Sequence, residues 1–149
     1  EAPIPAWDEI METLYPPEER AKIEWAIGAV ISGDSKRIQK FLVMYGDPGS
    51  GKGTILEIIQ KMFDGYWGTF SCETIGNASN SFSLEQFKKN PLIGIDPDGD
   101  LSKININTRL NTVVSHEPIT VNEKFKSAYT MKIDTFLFVA TNNHLHFYP

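Results

Sequence analysis

The stretch Phe41-Leu-Val-Met-Tyr45, followed by Gly46-Asp-Pro-Gly-Ser-Gly-Lys-Gly-Thr54, decides the fold of this 149-residue chain. The first part is apolar throughout and predicts a buried strand. The second part is rich in glycine and predicts a loop, which we call the glycine loop. Apolar residues then recur at helical spacing and predict a helix with one apolar face, formed by Ile55, Ile58, Ile59 and Met62. The order is strand, glycine-rich loop, helix.

Two later apolar runs predict further buried strands, Leu92–Ile95 and Phe136–Ala140. Strands that alternate with helices and are apolar throughout predict an α/β fold, with a mainly parallel sheet covered on both faces. Ligands of such sheets bind beyond the carboxyl ends of the strands. We therefore expect the glycine loop, Asp96–Asp100 and Thr141–Asn143 to converge at one edge of the sheet.

The flanking segments complete the domain plan. Pro16-Pro17, followed by two glutamates, predicts the start of a helix that ends at Ser32-Gly-Asp34. Its predicted apolar face consists of Ile23, Ala26, Ile27, Val30 and Ile31. We assign residues 1–40 to a helical lead-in packed on a core of residues 41–149, and we expect the core to be truncated at its carboxyl-terminal end.

Between the predicted strands, residues 64–82 predict a loop with one short strand near Phe70. Ser83 and Gln86 have capping-box spacing and predict a short helix that Pro91 ends. Asn105 or Asn107 is expected to cap another helix that runs to Val114. Two short strands, 119–122 and 128–133, flank Glu123-Lys-Phe-Lys-Ser127, which we call the hairpin tip.

Composition excludes several classes of protein. The chain is 41% hydrophobic and 22% charged, values of a folded protein, and none of its apolar runs approaches a membrane span. A single cysteine and the lack of a signal segment indicate an intracellular protein, cytoplasmic in a bacterium or an infected host cell. The net charge of -5 argues against uniform coating of nucleic acid, but residues 101–149 carry five basic and three acidic side chains. Any nucleic-acid contact is therefore expected late in the chain.

The glycine loop matches G-x-x-x-x-G-K, a pattern that binds polyphosphate. Glycines let backbone N–H groups turn inward, the next helix presents its positive end, and Lys52 adds a charge at the β and γ phosphates. The candidate nucleotide-binding residues are Gly46, Asp47, Pro48, Gly49, Ser50, Gly51, Lys52, Gly53 and Thr54. Gly53 replaces the usual magnesium-binding hydroxyl residue, so Thr54 is the candidate magnesium ligand of this loop. A glycine-rich turn with a surface lysine is the alternative.

Polar residues at the other strand ends are candidates for catalysis. Asp96 closes a buried strand, where P-loop enzymes place the acid that serves magnesium. Asp98 is a second candidate acid. Asn142 could reach the γ-phosphate or the attacking water. A solvated acidic turn and a turn or capping asparagine are the plainer alternatives, whereas an EF-hand fails because Gly99 and Asn107 occupy positions that need other residues.

The hairpin tip is the candidate nucleic-acid contact. Lys124 and Lys126 flank Phe125, which combines phosphate-binding charge with a stacking face for single strands. An ordinary charged turn is the alternative. The histidines, namely His116, His144 and His146, have no partner at an informative spacing and are interpreted as surface or packing residues.

Taken together, these motifs resemble the superfamily 3 helicases, and more narrowly the poxvirus, phage and plasmid primase-helicases, whose carboxyl-terminal part is the ATPase. The resemblance covers the chain from about Pro16 onward and includes Leu92-Ile-Gly-Ile-Asp96, Glu117-Pro-Ile-Thr-Val-Asn-Glu-Lys-Phe-Lys126 and Phe138-Val-Ala-Thr-Asn142. It implies an AAA+-like P-loop ATPase that binds ATP and Mg²⁺, forms a hexameric ring and moves on DNA during replication.

The resemblance also implies roles for individual residues. Asn142 would be the sensor asparagine, and the hairpin tip would line the central pore and hold one DNA strand. Pro97 stands where a second carboxylate is usual, which leaves Asp98 as the candidate water-activating acid. The arginine that acts on a neighbour's ATP lies after the sensor strand, so we expect residues 1–149 alone to hydrolyse ATP weakly.

Two other functions compete with this prediction. A nucleoside-monophosphate kinase also uses the sequence Gly-Ser-Gly-Lys-Gly-Thr, but such kinases need several arginines around two nucleotides, and this chain has only Arg20, Arg37 and Arg109. A nucleotide-binding module without turnover is the third possibility. Formation of ADP from AMP distinguishes the kinase, and a primase domain upstream would favour the helicase.

Overall fold

The computed structural model describes residues 5–77, 84–104 and 107–142. The helices are α1 (Pro5–Leu14), α2 (Pro17–Ser32), α3 (Lys52–Met62), α4 (Cys72–Ile75) and α5 (Thr108–Val114). The strands are β1 (Leu42–Tyr45), β2 (Trp67–Thr69), β3 (Ile93–Asp96), β4 (Pro118–Val121), β5 (Tyr129–Lys132) and β6 (Phe136–Thr141). Short 3-10 helices span Asp34–Arg37, Glu85–Phe87 and Leu101–Lys103.

Four strands form a parallel sheet in the order β1-β6-β3-β2. β6 lies between β1 and β3, with Leu42 opposite Phe138 and Asp96 opposite Val139. β4 and β5 form a separate antiparallel hairpin immediately before β6. The prediction of an α/β fold with a parallel sheet flanked by helices is confirmed.

Both faces of the sheet are covered by a hydrophobic core. Successive side chains of a strand point to opposite faces, so a central strand such as β6 contributes to both cores. Phe136, Phe138 and Ala140 join a core formed by α1, α2 and α3. Leu137 and Val139 join a second core with residues of α4, α5 and the hairpin. This division explains why all six residues of β6 are buried, which confirms the buried strand predicted at Phe136–Ala140 and extends it by Thr141.

The prediction that Phe41–Tyr45 is a buried strand is wrong in part. The strand is β1, but it lies at one end of the sheet and pairs only with β6 among the described strands. Met44 is its one buried residue, and Tyr45 is 47% exposed. An apolar run therefore predicts a strand correctly but does not reveal its place in the sheet.

Two predicted core residues are exposed instead, Ile31 by 71% and Met62 by 48%. Each lies in the last turn of its helix. Ile31 is eight residues after Ile23, about 80° around the helix, at the margin of the apolar face. Ala29 is buried in α2 in addition to the other predicted residues.

The connecting segments differ from the sequence prediction in detail. The predicted 64–82 loop contains β2, which is the short strand expected near Phe70. It also contains the short helix α4, which was not predicted and which Ser71 caps by accepting the N–H of Thr74 at 3.2 Å. A 3-10 helix spans Glu85–Phe87 in the region where we predicted a helix from Ser83, which lies outside the described residues.

The predicted helix through Val114 and the hairpin strands are present. Asn107 precedes α5, but its side chain makes no capping hydrogen bond. Asn105, the other predicted cap, lies outside the described residues. In the described ranges no helix combines the length and apolarity that crossing a membrane requires.

Candidate functional site

The glycine loop connects the carboxyl end of β1 to the amino end of α3 and turns through two left-handed glycines. Gly49 has φ of +83° and Gly51 has φ of +97°, a region that favours glycine because it lacks Cβ. Gly51 is the N-cap residue of α3 and has no side chain to accept a hydrogen bond from the first N–H groups. Those donors and the positive end of the helix dipole therefore lie at the loop.

Lys52 is folded into the glycine loop and is only 9% exposed. Its Nζ donates to the carbonyl oxygen of Gly46, to that of Asp47 at 3.0 Å and to Ser50 Oγ at 3.2 Å. A Cβ on Gly46 would lie 2.6 Å from Ser50 Oγ and 3.7 Å from Lys52 Nζ. The loop thus surrounds an ammonium group, which is how a site for a polyanion concentrates positive charge.

The helical lead-in packs directly against the glycine loop. A Cβ on Gly51 would lie 2.7 and 2.8 Å from the two Cδ atoms of Leu14, the last residue of α1. Beside this contact is a groove of about 600 Å³, lined by the turn between α1 and α2, by β1 and by Ser50 of the loop. Ligand pockets typically have volumes of this order.

The segments that follow β1, β6 and β3 lie together at the carboxyl edge of the sheet. The Gly46 N–H donates to the carbonyl oxygen of Thr141 at 3.2 Å, so the loop begins beside the end of β6. Asn142 follows Thr141 directly and is exposed. The Gly99 N–H donates to Ala140 O at 2.9 Å, which holds the turn after Asp96 against β6. The convergence predicted from a parallel sheet is therefore present, except that Asn143 lies outside the described residues.

Asp96 ends β3 and is 6% exposed. Its Oδ2 accepts the N–H of Cys72 at 2.9 Å, and its Oδ1 accepts the N–H of Asp98 at 3.3 Å. Burial is the main cause that raises the pKa of Asp96, and the two backbone donors partly oppose the shift. Cys72 begins α4, which follows β2, so the strongest contact of this carboxylate is on the side of β3 away from the glycine loop.

The other predicted acidic and hydroxyl residues are more open. Asp98 and Thr54 are exposed. Asp100 accepts the backbone N–H of Ser102 at 3.1 Å and its hydroxyl, and so caps the 3-10 helix that follows. Within residues 5–77, 84–104 and 107–142, no three His, Cys, Asp or Glu residues are grouped closely enough to hold a metal.

The hairpin tip carries its aromatic residue in full contact with solvent. Phe125 is completely exposed and has a left-handed φ of +62°. Lys124 and Lys126 are exposed beside it. Glu123, in contrast, is 7% exposed, and its carbonyl oxygen accepts the N–H of Lys126 at 3.2 Å. The tip therefore presents the two lysines and the aromatic ring that the sequence predicted there.

His116 is a packing residue, one of the two roles expected for it, whereas His144 and His146 lie outside the described residues. It is buried and has φ of +58°. Its Nδ1 lies 2.9 Å from Ile133 O, and its Nε2 lies 2.9 Å from Ile38 O. The ring thus connects the end of the lead-in to the segment after the hairpin.

Sequence reasoning missed three features of these sites. Leu14 supports Gly51 from 37 residues away, and no local pattern identifies such a contact. The thiol of Cys72 lies beside Asp96, and burial, then the Asp96 charge, raise its pKa. Lys88 forms an ion pair with Glu123 at 3.5 Å. The adjacent lysines at 88 and 89 were the available signal for a charged surface.

Comparison with protein-family models identifies the family of this chain. Residues 44–149 match the protein-family model described as "Family of unknown function (DUF5906)". No curated protein matches the chain.

Among solved structures, three of the C-terminal region of NrS-1 match. Two are described as A-form apo structures, with TM-scores of 0.65 and 0.58, identities of 17% and 18%, and coverage of 88% and 82% of this chain. The third, an apo structure, has a TM-score of 0.60 at 15% identity over 85% of this chain. This chain spans 31%, 28% and 30% of those chains, respectively.

Proposed function

We propose that this chain, which belongs to the Family of unknown function (DUF5906), is the ATP-hydrolysing motor domain of a DNA helicase in a viral, phage or mobile-element replication protein. It would act as an AAA+-like P-loop ATPase in a hexameric ring with single-stranded DNA in the pore. The observation that carries the proposal is the Lys52 ammonium, held inside a loop with two left-handed glycines at the start of a helix.

This loop has the features that a triphosphate needs. Gly49 and Gly51 shape the backbone, the start of α3 supplies N–H donors, and Lys52 supplies a charge that now rests on backbone carbonyl oxygens. A phosphate would replace those neutral acceptors with negatively charged oxygens, so that the attraction between opposite charges is added to each hydrogen bond. The neighbouring groove of about 600 Å³ has room for the nucleoside.

Magnesium fits the same edge of the sheet through water more readily than through direct contact with Asp96. Both carboxylate oxygens of Asp96 already accept backbone N–H groups, and the side chain is buried. Thr54 in the first turn of α3 and Asp98 after β3 are open to solvent. In this proposal Thr54 and Asp96 hold the hydrated ion, which supplies charge neutralisation at the phosphates, and Asp98 or Asn142 orients the attacking water.

The hairpin tip supplies the DNA contact in this proposal. Lys124, Phe125 and Lys126 are all exposed, which gives one protruding turn both phosphate-binding charge and a stacking face. The solved neighbours are C-terminal regions, and the ATPase of the primase-helicases that the sequence resembles is also carboxyl-terminal. Only the fold is common to this chain and those structures, so the activity rests on the site residues.

The test is calorimetric titration of the chain with ATP and Mg²⁺. Lys52→Ala should weaken binding by about 2 kcal/mol or more, roughly 30-fold in Kd, because it deletes a charge-assisted contact in a preformed site. Lys61→Ala is the matched control, since Lys61 is an exposed lysine in the last turn of the same helix. Equal ATP affinities for the two variants, with both still folded by circular dichroism, would exclude the assignment. ADP formation from AMP would instead indicate a kinase.

A further inference from the structure

The segment Glu85–Pro91 runs along the hairpin and is bonded to its base. Asn90 Nδ2 donates to Lys132 O at 3.1 Å, and Asn90 Oδ1 accepts the N–H of Asp134 at 2.9 Å. The carbonyl oxygen of Pro91 accepts the hydroxyl of Thr135 at 2.6 Å. Asn90 has φ of +47°, which asparagine tolerates better than most residues. The segment is therefore fixed to the end of β5 by both halves of one amide side chain.

The same segment meets the other end of the hairpin through Glu123. Lys88 Nζ lies 3.5 Å from Glu123 Oε1, and Lys126 Nζ lies 3.9 Å from the same oxygen. Tyr129 lies near the same carboxylate, and the interaction with Glu123 is, after burial, a cause of the raised pKa of Tyr129. A buried carboxylate thus fixes one lysine of the hairpin tip beside one lysine of the neighbouring segment.

At this point the Glu123 carboxylate faces two ammonium groups, and Glu85 adds a further negative charge near Tyr129. Both groups remain open to solvent, with the Lys88 side chain 47% exposed and that of Lys126 67% exposed. Because the two ammonium groups lie 3.5 Å and 3.9 Å from the same carboxylate oxygen, their separation cannot exceed about 7.4 Å. One sugar and its two bridging oxygens separate adjacent phosphates of a single strand. The two ammonium groups therefore lie close enough together to contact phosphates of adjacent nucleotides.

We propose that Lys88 belongs to the nucleic-acid surface and binds a backbone phosphate of the same single strand that the hairpin tip holds, with Glu123 as the positioning residue. The inference rests on the proposed role of the tip and extends it to a segment 35 residues earlier in the chain. Lys88 and Lys126 then form one phosphate-binding pair, and Phe125 stacks a base beside them.

The experiment measures affinity of the full chain for fluorescent oligothymidylate over a series of salt concentrations. Lys88→Gln is the main variant, because glutamine removes the charge and keeps a polar side chain with N–H donors. Its slope of log affinity against log salt should fall by roughly 0.7, the value for one phosphate contact on a single strand. Lys88→Arg should restore the wild-type slope.

Matched variants separate the two proposals. Lys36→Gln should leave the slope unchanged, since Lys36 is an exposed lysine of the lead-in, in the 3-10 helix Asp34–Arg37. Lys124→Gln should lower the slope like Lys88→Gln. A wild-type slope for Lys88→Gln together with a lowered slope for Lys124→Gln overturns the inference alone. Wild-type slopes for both variants, or no binding by the wild-type chain, overturn the inference and the DNA role of the tip together.

Discussion

The carboxyl edge of the sheet and the hairpin tip carry their candidate side chains in opposite ways. At the edge, Lys52 and Asp96 are buried and bonded to the backbone of their surroundings. At the tip, Lys124 and Phe125 extend into solvent. Both regions are proposed to bind phosphate groups, yet only the first depends on its ligand-binding residues for its own structure.

The difference has a physical origin. A buried charge is tolerated only where hydrogen bonds compensate the lost solvation, so Lys52 and Asp96 need the loop conformation that surrounds them. Exposed lysines keep their hydration and need no such partners. We therefore expect substitutions at the edge to change stability and binding together, whereas substitutions of exposed tip residues should change binding alone. Three predictions test this expectation, in decreasing order of the expected effect on stability.

The largest effect should come from Gly51→Val. Valine is strongly disfavoured at φ of +97°, and its Cβ would overlap Leu14 at 2.7 Å. The left-handed conformation alone costs roughly 1–2 kcal/mol for a residue with a Cβ. We expect the free energy of unfolding in urea to fall by about 2 kcal/mol or more, and ATP binding to be lost because the turn of the glycine loop changes.

Gly53→Ala is the control for this prediction. Gly53 lies in the first turn of α3, has no positive φ, and a Cβ there would meet nothing within 4 Å. Alanine should leave the free energy of unfolding unchanged or raise it by up to about 1 kcal/mol. If Gly51→Val were as stable as wild type, the loop would not depend on its left-handed glycine, and the comparison would lose its basis.

The middle effect concerns Asp96 and depends on pH. Burial raises the pKa of this carboxyl above its ordinary value of 3.8, so the folded chain holds the proton more tightly than the unfolded chain does. The stability that this protonation contributes is complete below pH 3.8 and is lost as the pH rises through the raised value. The difference in free energy of unfolding between wild type and Asp96→Asn should therefore become smaller as the pH rises from about 4 towards neutrality.

Thermal melts of both proteins at several pH values check this sign. Asp98→Asn is the control, since Asp98 is exposed in the same turn, and its free energy of unfolding should stay within about 0.5 kcal/mol of wild type. If the difference in stability between wild type and Asp96→Asn became larger as the pH rises, the folded chain would favour the ionised form of Asp96. The expected sign would mean that folding stability favours the protonated carboxyl of Asp96, whereas magnesium binding needs the ionised one.

The contrast between the two regions also explains what the sequence could predict. The strands β3 and β6 are buried on both faces of the sheet, and each carries a polar residue only at its last position, so their type was readable from pattern alone. Their ends differ by one residue from the predicted ones. The position of β1 at the end of the sheet was not readable, because its composition is that of a buried strand. Sheet order depends on long-range pairing, which leaves no local signal in five residues.

The candidate sites show the same limit. The glycine loop was predicted because left-handed turns demand glycine at fixed spacing. The contacts of Asp96 with Cys72 and of Glu123 with Lys88 join residues that are 24 and 35 positions apart. Such contacts arise when elements pack, so the sequence indicates the candidate residues but not the contacts that hold them in place.

The smallest effect on stability should come from Phe125→Ala at the hairpin tip. The ring of Phe125 is fully exposed, so its removal exposes no core and should change the free energy of unfolding by less than about 0.5 kcal/mol. Affinity for single-stranded DNA should nevertheless fall by about 1–3 kcal/mol if one base stacks on the ring. The salt slope should stay at its wild-type value, because no charge is lost.

Phe125→Tyr keeps a stacking face and should bind as wild type does, which separates stacking from a change in tip conformation. Unaltered DNA affinity in Phe125→Ala would restrict the tip to electrostatic contacts, whereas a large loss of stability would show that the tip, like the glycine loop, is built around the residue proposed to bind the ligand.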